Sequence, residues 1–170
     1  GNRSEEGNRN LKSQTNYEAD LSLHYHCCHA MLDISGFYNY IDHYIYLSPT
    51  GEITSNGFDI YRYRQNTARL YGGEVQFKIR PVDWFNASFT YSGTIGKQTS
   101  GEYLPFIPQD NLRSSIGVKG REWSVIKAPS LKLEATYAFD QNHPSRFESA
   151  TDGYFIMNFS LVSRLQVASR

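Results

Sequence analysis

Strict alternation of apolar and polar residues, repeated in seven runs with almost no helical spacing between them, confines this chain to an all-β fold. In the first run Tyr17, Ala19, Leu21, Leu23 and Tyr25 share one face, with Glu18, Asp20, Ser22, His24 and His26 on the other. The second sets Leu32, Ile34, Gly36, Tyr38 and Tyr40 against Asp33, Ser35, Phe37 and Asn39. The third spans about 58–80, and its later half sets Tyr71, Gly73, Val75, Phe77 and Ile79 against Gly72, Glu74, Gln76, Lys78 and Arg80. Four further runs follow, over 84–93, 112–119, 131–139 and 155–161. Consecutive strands without intervening helices predict an antiparallel meander of about seven strands.

The connections alternate in length. His26–His29 and Pro81–Asp83 are tight, 47–57, 95–110 and 140–151 are long and rich in Gly, Ser, Thr, Asn and Pro, and 120–129 is intermediate. Transmembrane barrels have this asymmetry, short turns at one end and long loops at the other, and a soluble two-layer sheet has no physical reason to keep it. No stretch approaches the ~20 consecutive apolar residues of a membrane helix. A mean hydropathy of −0.54 leaves a barrel open, because alternation hides a lipid-facing stripe from any average. Aromatic residues make up 15% of the chain, mostly Tyr, which suits the girdles of a barrel where the lipid meets water. A soluble, secreted β-sheet binding module, for carbohydrate for example, is the alternative that patterning leaves standing. Seven strands would close badly, which predicts membership of a larger barrel.

Charge excludes rather than assigns. Lys plus Arg equals Asp plus Glu at 17 each, so no net field points to nucleic acid. No nucleophile–base–orienter spacing occurs, so no enzyme is expected, and no cofactor. His24, His26 and His29, with Cys27 and Cys28, hold ligand atoms for a soft metal. They sit at a tight turn, however, and a polar strand end with two incidental thiols is the plainer reading, so no metal site is assigned. Gly72 and Gly73 precede no helix and read as a structural bend or bulge in a barrel strand. Asn86-Ala87-Ser88 and Asn158-Phe159-Ser160 match a glycosylation acceptor pattern, but inside strands. Around the first long link, Tyr44, Tyr46, Arg62 and Arg64 are the candidate ligand-binding residues, since Arg and Tyr together grip an anionic, ring-bearing molecule. An aromatic girdle beside inward arginines is the competing reading.

Four elements in order carry a resemblance: Asn10-Leu11-Lys12 leading to Asn16-Tyr17-Glu18, Gly36-Phe37-Tyr38-Asn39 leading to Tyr44-Ile45, Asn66-Thr67-Ala68 leading to Gly73-Glu74, and Leu104-Pro105-Phe106-Ile107-Pro108. Together they resemble late barrel strands of TonB-dependent outer-membrane receptors. The resemblance implies that residues 1–170 are a C-terminal part of a transmembrane barrel of about 22 strands, with 1–9 flexible and the plug domain and final strand lying outside the chain. It implies a bacterial outer-membrane location, lipid and lipopolysaccharide around the barrel, and a TonB complex engaged through the plug. It further implies import of a scarce small-molecule nutrient, an iron chelate or haem ahead of cobalamin or a sugar.

Overall fold

A computed structural model describes residues 3–146 and 148–166. It contains eight strands: β1 (Arg3–Glu6), β2 (Thr15–His26), β3 (Ala30–Ile53), β4 (Asp59–Val82), β5 (Phe85–Gln98), β6 (Asn111–Lys119), β7 (Ile126–Ala138) and β8 (Tyr154–Leu165). β2 to β8 form one sheet in chain order, each antiparallel to the next, as the seven runs predict. There is no helix among the described residues, hence none long and apolar enough to cross a membrane.

Directly paired residues project to the same side of a sheet, so register shows whether the seven apolar stripes join. They do. Leu23 pairs with Ile34, Ile34 with Val75, Val75 with Tyr91, Tyr91 with Leu112, Leu112 with Tyr137, and Tyr137 with Phe155. Leu32–Phe77–Phe89 and Ile116–Leu133–Phe159 run parallel to that row. Among the described residues nothing packs over this side: Leu21 is 81% exposed, Phe159 66% and Leu161 71%. Every contact between strands lies between sheet neighbours, so the second layer that a soluble module needs to bury its apolar face is missing among them. Tyr rings sit where the band stops, Tyr17 near Tyr40 at 6.3 Å and Tyr38 stacked on Tyr71 at 6.4 Å. The opposite side is hydrogen-bonded and polar, with Ser88 Oγ 2.8 Å from Ser115 Oγ and Asn111 donating to Ser92 at 2.9 Å.

Four expectations are corrected by the pairing. The link 47–57 is mostly strand: β3 and β4 continue as a ribbon through Pro49↔Tyr61 and Ile53↔Asp59, and the turn is confined to 54–58. Its Ser-Pro-Thr-Gly composition reads as loop, but ribbon pairing supplies the backbone partners that local propensity does not. The link 120–129 shortens to 120–125, which joins it to the short turns 27–29 and 83–84 at one end of the sheet. The opening stretch 1–9, expected to be flexible, contains β1, which pairs in parallel with β4 from Arg3↔Asp59 to Glu6↔Arg62. Finally, of the bend or bulge expected at Gly72 and Gly73, the pairing excludes the bulge. The ladder runs unbroken through them on both sides, Gly36↔Gly73 and Gly72↔Thr94. A Cβ on Gly73 would lie 2.6 Å from the Ser35 carbonyl oxygen, and one on Gly72 would strike that of Gly93. These glycines let three backbones approach closely.

The bulge lies elsewhere. Between Ile41↔Ala68 and Tyr44↔Asn66, Asp42 and His43 oppose Thr67 alone, with His43 at φ 55°. β4 carries no extra residue here, so its alternation persists: Arg62, Arg64 and Asn66 share the polar side with Glu74, Gln76 and Lys78. Their partners Ser48, Tyr46 and Tyr44 face the same way. Tyr38 and Tyr40, across the bulge, face the apolar side.

Candidate functional site

The buried residues among those described gather mostly on the polar side, at the long-loop end. Leu104, 1% exposed, packs beside Gly96, where an added Cβ would sit 2.8 Å from Ile107 Cδ1 and 3.0 Å from Leu104 Cδ1. Ala68 and Ile41, also buried, are paired on that side. The loop 99–110 therefore folds back over the polar face instead of standing away from the sheet. The loop 139–153 locks onto it. Glu148 accepts the Phe106 amide at 2.7 Å and the Ser145 amide at 3.0 Å, Gln141 donates to the Ile107 carbonyl at 2.6 Å, and the rings of Tyr103 and His143 lie 4.6 Å apart.

Between this double loop and the β3–β4 wall lies a small polar cavity of about 40 Å³, lined by Tyr46, Ser48, Arg64, Gln98, Glu102, Tyr103 and Arg146. It adjoins a wider cleft of about 550 Å³ beside Asn66, Ser100 and Asn8. Gln98 is 7% exposed and holds the floor, accepting from Asn66 Nδ2 at 2.7 Å, with Tyr46 in the same lining. Tyr44 stacks against Tyr46, centroids 6.2 Å apart at 13°. The Tyr46 ring, the Arg64 guanidinium and the Gln98 amide thus converge beside the Glu102 carboxylate, and the guanidinium and the ring are the groups there that suit an anionic, flat ligand.

The four sequence candidates share one side of the sheet but not one surrounding. Arg64 reaches the cavity with Tyr46, and among the described residues it forms no ion pair. Arg62 is engaged by Glu6 at 2.7 Å and Glu52 at 3.8 Å, partners outside that cavity. Gln98, Glu102, Tyr103 and Arg146 escape the sequence reading. Their signal was the coincidence of two long links at the same end as Tyr46, but nothing local says those links fold inward.

The histidines at the opposite end are brought together in part. Asp33 Oδ1 lies 2.8 Å from His24 Nδ1 and 3.2 Å from His26 Nε2, while His29 makes no such contact among the described residues and lines a hollow with His26, Cys27 and Lys78. Both thiols are free and exposed. Among the described residues no three His, Cys, Asp or Glu side chains converge in metal-ligand geometry. A hollow of about 900 Å³ opens on the apolar side around Gly36, between Leu21, Ile34 and Tyr38, and its walls are almost wholly apolar.

An antiparallel meander with one uncovered apolar face, one polar face, and long loops folded over the polar side is the wall of a transmembrane-type β-barrel. The chain belongs to the TonB dependent receptor-like, beta-barrel family, which it matches over residues 1–168. A search of curated proteins returns no match. Among solved structures it is similar to that of the "Copper transporter OprC", with a TM-score of 0.81 at 16% identity. That superposition covers 93% of this chain and 24% of the other, so the chain spans about a quarter of that structure's length.

Proposed function

We propose that this chain is part of the barrel wall of a bacterial outer-membrane receptor that imports an anionic nutrient chelate, with energy from a TonB complex acting through a plug. Closure of the β2 and β8 edges by further strands, toward a barrel of about 22, belongs to this reading, as do lipid and lipopolysaccharide against the apolar face. The convergence of Arg64, Tyr46 and Gln98 carries the choice of solute. A guanidinium attracts the carboxylates or phenolates of an iron chelate or the propionates of haem, whereas it repels a bare cation such as copper. The copper for which OprC is named is said of that protein, and the likeness at 16% identity supports the fold alone.

Binding to the purified full-length receptor tests the reading. Arg64→Ala removes a charge-assisted contact of about 1.5–3 kcal/mol, so affinity for ferric chelates or haem falls about 10- to 100-fold. Arg62→Ala, whose partner is Glu6, changes it little. Equal affinities for the wild type and Arg64→Ala, or binding of copper ions in place of every chelate, overturn the assignment.

A further inference from the structure

The register of the ribbon above the apolar band decides which of its residues face the polar side. In a regular ladder His43 would pair with Asn66 and Tyr44 with Gln65, leaving His43, Ile45 and Leu47 on the polar side and turning Tyr44 and Tyr46 away from it. In the observed ladder Tyr44 pairs with Asn66 and Tyr46 with Arg64, because β3 accommodates one extra residue. The second irregularity, between Pro49 and Ile53, is where a one-residue slip can be absorbed. The bulged register leaves a non-glycine residue at positive φ and interrupts the ladder, so something must hold it.

Four contacts on the bulge itself do so. The Thr67 hydroxyl donates to Asp42 Oδ1 at 2.8 Å, and the same oxygen accepts the His43 amide at 3.0 Å. Gln65 Nε2 donates to the His43 carbonyl at 2.8 Å, and Gln14 Oε1 accepts the Ile45 amide at 3.1 Å. Gln65 is itself fixed by the Lys12 backbone, to whose carbonyl it donates at 2.6 Å and from whose amide it accepts at 2.8 Å. The His43 amide, the His43 carbonyl and the Ile45 amide are thereby given side-chain partners.

We propose that the Asp42–His43 bulge, clamped by Thr67 and Gln65, is the positioning device that turns Tyr46 and Ser48 into the ligand cavity and stacks Tyr44 against Tyr46. Its importance for uptake rests on the reading of that cavity given above, but its geometry is tested without any ligand. In the full-length receptor in outer-membrane vesicles, with Cys27 and Cys28 replaced by Ser, a short thiol–thiol reagent is applied to the pair Tyr46→Cys/Gln98→Cys. A second pair, Leu47→Cys/Gln98→Cys, reports the slipped register. The first pair links and the second does not. Adding Asp42→Ala with Thr67→Val lowers the 46–98 yield several-fold and raises 47–98. Deleting His43 from that background removes the extra residue, makes Tyr44↔Asn66 the regular pairing and restores the 46–98 link.

Unchanged 46–98 yield in Asp42→Ala/Thr67→Val overturns the proposal. So does a loss that brings no 47–98 link and that the His43 deletion does not reverse, which is the signature of a merely stabilising contact. If the double variant does not assemble, the His43 deletion alone decides: retention of the 46–98 link supports the proposal, and its loss refutes it. Chelate binding reduced in Arg64→Ala is a separate result, so the failure of one reading is distinguishable from that of the other.

Discussion

Arg62 and Arg64 lie two positions apart on the same side of β4, yet their neighbours give them different work. Glu6 and Glu52 hold Arg62 in a surface ion-pair cluster, a kind of contact generally worth little in water. Arg64 is left facing Tyr46 and Glu102 across a cavity. The same sensitivity to facing governs substitution. Phe89 lies mid-strand on the apolar side, 42% exposed with no protein above it among the described residues, whereas Gln76 faces the polar side beside Thr90. In the membrane, Phe89→Arg costs about 2–4 kcal/mol near the midplane, while Gln76→Arg stays near zero. Urea titration of the receptor refolded in lipid vesicles separates the two, and equal costs would show that the apolar side does not face lipid.

At the scale of elements, the decisive piece is the loop 99–110. It turns inward because Gly96 leaves a gap on the polar side that Leu104 and Ile107 fill, with the Leu104 amide donating to the Gly96 carbonyl at 2.9 Å. A larger residue at 96 would press on the ends of those two side chains. Gly96→Val is expected to loosen 99–110, to expose it to protease from outside the cell, to lower folding stability by about 1–3 kcal/mol as overpacking does, and to weaken ligand binding. Limited proteolysis of intact cells reads this directly, and cleavage no faster than in the wild type would mean that the loop is held by other contacts. β3 shows the complementary case, in which a residue run with the composition of a loop is made strand by its partner. Asn66, Arg64 and Tyr61 on β4 supply the ladder that Tyr44, Tyr46 and Pro49 use.

At the scale of the molecule, every residue of β2 and of β8 is exposed, and the apolar face between them is uncovered among the described residues. The isolated 170-residue chain is therefore expected to aggregate in water and to disperse in detergent. Light scattering decides, and a monodisperse aqueous monomer would contradict a lipid-facing surface. By itself the sequence determined the strands, their order and their two faces. Alternation is a local property, and a period of two assigns each residue from Tyr17 to Tyr25, or from Tyr71 to Ile79, to a side without knowledge of any neighbour. It also determined which end carries the long connections. Tertiary structure alone decided that Tyr44 and Tyr46 leave the side of Tyr38 and Tyr40, because one extra residue opposite Thr67 inverts the alternation and no local signal marks it. It alone decided that Leu104 turns toward Gly96, that Arg62 finds Glu6 from 56 positions away, and that Gly72 and Gly73 serve close backbone approach rather than a bulge. Facing is written in spacing, whereas a cavity depends on which distant backbone comes to lie across from it.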